Sequence, residues 1–137
     1  MTRKVKLTPY MAREILIRPL GRFRVSVPKL RWSAYYRGFY NPKTQTIWMG
    51  RKLRSFNNPD TLLHEFAHHL NVMRGGVPYY HHRFPFVVCL IEVASVQYGN
   101  AARYNWDAEY STVERLARPL LNQRFNLDLT CFDKDTP

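Results

Sequence analysis

Asn58-Pro59-Asp60-Thr61-Leu62-Leu63-His64-Glu65-Phe66-Ala67-His68 reads as the opening of a helix. Asn58 offers an N-cap acceptor, Pro59 suits the first helical position, and Asp60 complements the positive end of the helix. The helix is expected to reach about Arg74, where Gly75-Gly76 stops it. Residues four apart lie on one helical face, so His64 and His68 point the same way and suit one cation. Glu65 projects beside that cation without ligating it, placed to take the proton of a water whose pKa a zinc ion lowers. Leu62, Leu63, Phe66, Ala67 and Leu70 give the helix a core side, distinct from this site side. All five histidines fall between positions 64 and 82. Two histidines on a solvated helix face would show the same spacing, and the capped, two-sided helix argues against that reading.

Upstream, Thr8-Pro9 signals a helix start, and the helix is expected to end near Arg18, ahead of Pro19 and Gly21. Phe23 to Val27 alternates as a half-buried strand does. Arg31 to Tyr40 and Gln45 to Met49 form a hairpin candidate around the turn Asn41-Pro42-Lys43-Thr44. Downstream, helices are expected over about Phe84 to Tyr98 and from Asp107 to Leu116 or beyond, with Pro119 an interruption or kink. The acidic tail 127–137 is expected to fray. The order predicts an α+β domain: an N-terminal helix, a small three-stranded antiparallel sheet, the site helix, then further helices.

At 137 residues the chain is expected to be one domain, 1–137. Its 45% apolar and 23% charged residues exclude a disordered chain as the default. The net charge of +11 is unevenly placed. Residues 1–58 hold 14 Lys and Arg against the single acid Glu14, whereas the remainder holds 7 basic and 9 acidic residues. A basic segment of this density attracts polyanions, nucleic acid being the commonest; a solvated basic face or an acidic protein partner is the plainer alternative. Cys89 and Cys131 are too few and too distant for a disulfide framework or a Cys-rich zinc ribbon, and Cys89 reads as a buried free thiol. No signal peptide and no run able to span a bilayer is visible, so a cytoplasmic or otherwise intracellular protein is expected.

A catalytic zinc site takes a third protein ligand and keeps one open position. The metzincin continuation needs Gly at 71 and His at 74, and Asn71 and Arg74 exclude that class. A gluzincin would supply Glu from the next helix, for which Glu92 is the candidate. Alternatively, a loop returning from Gly75-Gly76 brings His81 or His82 over the helix.

The run Thr61 to His68, preceded by a short strand and followed by His82-Arg83-Phe84-Pro85-Phe86, resembles the SprT-like zinc metallopeptidase family (the Spartan-like protease core). The resemblance covers about residues 45 to 95. It implies a zincin-like fold, one zinc ion per chain, His64, His68 and His82 as ligands, and Glu65 as general base. The family's His-to-Phe spacing selects His82, paired with Phe86, over His81. Its Gly after the third His is Arg83 here, and the C-terminal zinc ribbon of some relatives has no cysteines to form it. His69 is expected to be a polar neighbour on the helix, and His81 a loop residue or stand-in ligand.

These readings predict a zinc-dependent endopeptidase whose Glu65 assists attack of water on a peptide bond, acting on proteins that include DNA-associated ones. Tyr79 and Tyr80 are candidate donors to the transition state, and Gln45 to Met49 the candidate edge strand for an extended substrate. The alternative is a non-catalytic metal-binding structural or nucleic-acid-binding protein on the same fold. No membrane partner is expected.

Overall fold

The computed structural model describes residues 7–33, 38–51, 58–76 and 82–131, with 123–131 as helix backbone only. Helix α1 spans Pro9–Phe23, and its N-cap is the expected one: Thr8 Oγ1 accepts from the Met11 N–H at 3.2 Å. The helix does not stop ahead of Pro19 but continues through it. A proline inside a helix costs about 3 kcal/mol in lost bonding and strain. Here Leu16 and Pro19 are buried, and Leu20 and Phe23 pack against the core, so the extra turn recovers apolar burial.

That extension removes the strand expected over Phe23 to Val27. Phe23 is the last helical residue, and Arg24 turns left-handed at φ 55°, its N–H donating to Leu20 O at 2.9 Å. Val25 packs on the core but Val27, two residues on, is 70% exposed, so the alternation in sequence is not an alternation in burial and forms no ladder. The first strand, β1, is Lys29–Ser33. Of the expected arm Arg31 to Tyr40, the hairpin uses only β2, Phe39–Asn41; residues 34–37 lie outside the described residues. Strand β3 is Thr46–Gly50. The turn between β2 and β3 is built as expected, with Asn41 Oδ1 accepting from the Lys43 N–H at 2.9 Å.

The sheet is mixed rather than antiparallel throughout. Its order is β1-β3-β2, with β3 parallel to β1 and antiparallel to β2; Ile47 faces Leu30 on one side and Tyr40 on the other. Thr46, Ile47, Met49 and Gly50 are buried, and a strand so buried belongs at the centre, where both of its edges are bonded. This overturns the edge role expected for Gln45 to Met49. The strand that borders the site helix from an edge is β2.

Helix α2, Pro59–Met73, opens with Asn58 Oδ1 accepting from the Thr61 N–H at 2.8 Å. It closes at Gly75, whose φ of 84° is open to glycine at little cost. Almost every residue from Pro59 to Asn71 is buried. Helix α3, Phe84–Tyr98, packs against it and ends at Gly99 (φ 77°). Two short 3₁₀ turns, Ala101–Arg103 and Trp106–Ala108, lead to helix α4, Ser111–Cys131. The last helix thus begins four residues later than expected, because Asp107 lies in the second turn, and it runs through Pro119. It also carries the first part of the tail expected to fray; residues 132–137 lie outside the described residues. No helix of the described residues is long and apolar enough to cross a membrane.

His69 fastens this arrangement. Fully buried on α2, it meets Tyr40 Oη of β2 at 2.6 Å through Nδ1 and the Ser26 carbonyl at 2.7 Å through Nε2. A carbonyl only accepts, so Nε2 carries the proton and Nδ1 accepts from the tyrosine. Tyr40→Phe strands that nitrogen in the core and is expected to lower unfolding free energy by about 1–3 kcal/mol. Urea unfolding of the two proteins measures it; equal midpoints and slopes would show that the bridge is dispensable.

Candidate metal centre

His64 and His68 sit one turn apart on α2, with ring centroids 5.1 Å from each other. His82 precedes α3 and comes over both. Its Nε2 lies 3.1 Å from His64 Nε2 and 3.3 Å from His68 Nε2. The three side chains form the metal-competent cluster found among the described residues, with one ligand atom from each within 4.8 Å of the others. Phe86, one turn into α3, floors the cluster. Its ring stacks on His68 at 4.1 Å and 23°, and stands 5.0 Å from His82. The His82–Phe86 spacing therefore has a physical meaning here: one helix start delivers a ligand and the apolar surface beneath it.

Arg83 sits where the resembled family has glycine. Its φ of −95° and ψ of −178° are extended backbone open to any residue, and its side chain is exposed. Glycine is not needed for His82 to reach the cluster.

The chemistry of the His64 imidazole follows from Glu109, which sequence reasoning missed. His64 Nδ1 lies 2.7 Å from Glu109 Oε2, and Tyr104 Oη donates to the same oxygen. A carboxylate accepts, so His64 Nδ1 donates and Nε2 presents a lone pair to the cluster. Burial lowers the pKa of His64, but the charges of Glu65 and Glu109 and the Glu109 bond outweigh it and raise it. Burial raises Glu109, yet its bond and ion pair with His64 hold it below the ordinary carboxylate value. His68 is held well below the ordinary value by burial and by its two histidine neighbours, which keeps it neutral and able to ligate.

Glu65 is 6% exposed, and among the described residues no hydrogen bond is made to its carboxylate. Burial pushes its pKa up to about 7, against the pull of His64 and with a smaller push from Glu109. The chain passes close by at Gly38, whose φ is 107°. A Cβ there would stand 3.2 Å from Glu65 Oε2 and 2.9 Å from Thr61 Cγ2. Gly38 is thus a second residue that the sequence reading missed; a lone glycine before a strand was its only signal.

No protein-family model, curated protein or solved structure matches the chain. Functional argument therefore rests on the side chains. Of the alternative ligands, Glu92 is paired with Arg74 at 2.7 Å and is not among the three clustered side chains. His81, Tyr79 and Tyr80 lie outside the described residues. His69, expected as a polar neighbour, is the buried tie to Tyr40 and Ser26. Cys89 is a buried free thiol, as expected.

The three histidines are expected to bind one divalent metal ion together. His64→Ala, His68→Ala and His82→Ala should each weaken binding beyond the roughly 10–100-fold that loss of an outer partner costs, while Glu92→Ala leaves it unchanged. Competition against a chromophoric chelator reads both; a large loss in Glu92→Ala would reinstate the carboxylate as ligand.

Proposed function

We propose that this chain is a zinc-dependent endopeptidase, with His64, His68 and His82 as the ligands of one zinc ion and Glu65 as the general base. One observation carries the reading: three imidazole nitrogens converge at 3.1 and 3.3 Å beside a buried carboxylate to which no described residue hydrogen-bonds. Four ligands arranged tetrahedrally at 2.0–2.1 Å from zinc stand roughly 3.3 Å from one another, so the residues present fit that ion. Three nitrogens also leave the fourth position for substrate or water, as hydrolytic sites require. When bound, zinc supplies a Lewis acid that polarises the scissile carbonyl and acidifies water.

The rest belongs to the chain. Glu65, with its pKa raised toward neutrality, takes the proton of the attacking water and returns it to the leaving amine. Its place next to His64 on the same helix fixes it at the metal's side without making it a ligand. Gly38 keeps the carboxylate's flank clear, because any larger residue would crowd both Glu65 and Thr61. The non-catalytic alternative, a structural metal site, gives no reason to place a carboxylate of raised pKa next to His64.

The partner reading has its own support. Arg13, Arg18, Arg22, Arg24, Lys29 and Arg31 are all exposed along α1, the segment after it and β1. A nucleic acid, or a protein bound to one, fits this surface, since guanidinium groups bind phosphates in pairs of hydrogen bonds.

Glu65→Gln is expected to keep the metal and to lower cleavage of a fluorescently labelled unfolded protein by roughly 10²–10⁴-fold. Zinc content and cleavage rate measured on the same preparations decide it: cleavage equal to wild type removes Glu65 from the mechanism. Binding of a labelled DNA should weaken steeply between low and moderate salt, in proportion to the phosphates neutralised. An affinity flat across that range removes the nucleic-acid partner and leaves the peptidase reading standing.

A further inference from the structure

We infer that the dipeptide Glu109-Tyr110, far outside the motif region, is the positioning pair that sets two of the three metal-binding imidazoles, an assignment that rests on the metal-centre reading above. The two residues lie between rigid pieces of chain. Glu109 N–H donates to Trp106 O at 3.1 Å, closing the second 3₁₀ turn, and Tyr110 O accepts from the Glu114 N–H at 3.0 Å, opening α4. From that junction one side chain turns inward and the other covers the site from outside.

The inward one is Glu109. Its bond to His64 Nδ1 leaves a single choice for the nitrogen that faces His82, namely Nε2. Tyr104 Oη donates to the carboxylate oxygen that His64 uses, so the acceptor is itself held. Tyr104 is buried against Trp106, with ring centroids 4.7 Å apart, and its hydroxyl also stands 3.3 Å from the Asp60 carbonyl on α2. The imidazole is thereby fixed from both ends: by its own helix and by a carboxylate anchored in the following turn. Partners of this kind orient a metal-binding imidazole and raise its basicity.

The outer one is Tyr110. Its ring stacks on His82 at 4.5 Å and 25°, and stands 6.1 Å from His64. It is nevertheless 61% exposed, so the imidazole is what covers its buried face. His82 is the ligand that does not come from α2. Phe86 meets it edge-on from beneath, and Tyr110 lies flat on it from the solvent side. A ring held between two aromatic groups has few orientations left, and a ligand already ordered loses less freedom when it binds.

The test compares metal binding by wild type, E109A, E109Q, Y110A and Y110F. Each full-length protein is loaded with Co²⁺ for its visible spectrum and titrated with Zn²⁺ against a chelator. E109A is expected to weaken zinc binding roughly 10–100-fold and to shift the Co²⁺ bands, with E109Q recovering part of both because its amide oxygen still accepts from Nδ1. Y110F should match wild type and Y110A should lose affinity, since stacking needs the ring and not the hydroxyl. Wild-type spectra and affinity in both Glu109 variants would overturn the assignment, as would equal losses in Y110F and Y110A. If E109A fails to fold, E109Q carries the comparison. Failure of wild type to bind any metal would instead sink the metal-centre reading itself.

Discussion

A buried polar group costs several kcal/mol unless it finds a partner, and α2 takes Asp60, His64, Glu65, His68 and His69 into the interior together. Much of the surrounding structure answers that demand. Tyr98 from α3 donates to the Asp60 carboxylate, and the Asn105 N–H donates to its other oxygen at 2.9 Å. Tyr40 and Ser26 take the two nitrogens of His69. Glu109 takes one nitrogen of His64. The sheet, α3 and the turns before α4 are thus each tied to α2 by a polar contact as well as by packing, and the site sits where those ties converge.

What could be read from the sequence follows from how local its cause is. Asn58 and Pro59 start α2 through contacts within one turn, and the histidine spacing on that helix is fixed by its geometry, so both were legible. The same holds for the Asn41 turn and for the end of α3 at Tyr98. The strand order was not legible. Whether β3 lies at an edge or between β1 and β2 depends on which strand is buried on both faces, and alternation within a single strand does not settle that. Pro19 misled for a related reason. It is a local stop signal, yet the helix runs on past it, and the burial of the residues around it shows why.

The candidate site divides along the same line. His64, Glu65 and His68 share one helix and were found by spacing. His82 needed the returning loop, and the residue reading alone did not separate it from His81. The pairing of Glu92 with Arg74 is a contact between α3 and the end of α2, set by packing that no spacing rule encodes. Glu109 and Tyr104 had no signal at all. The bond from Glu109 to His64 spans 45 positions, and an acid near a tyrosine is unremarkable in any chain.

One asymmetry within the helix bears on what the site does. Asp60, His64, His68 and His69 all have polar neighbours within hydrogen-bonding distance, whereas no described residue hydrogen-bonds to the Glu65 carboxylate. Folding stability alone would favour replacing such a group or pairing it, as it does with Asp60, His64 and His69. Burial raises the Glu65 pKa to about 7, so near neutral pH the group holds a proton about as readily as it releases one. Carboxylates whose pKa is raised in this way concentrate at functional sites, which is the ground on which Glu65 is proposed as the base. The backbone beside it is equally constrained: a Cβ at Gly38 would stand 3.2 Å from Glu65 Oε2, so the glycine leaves the carboxylate its room.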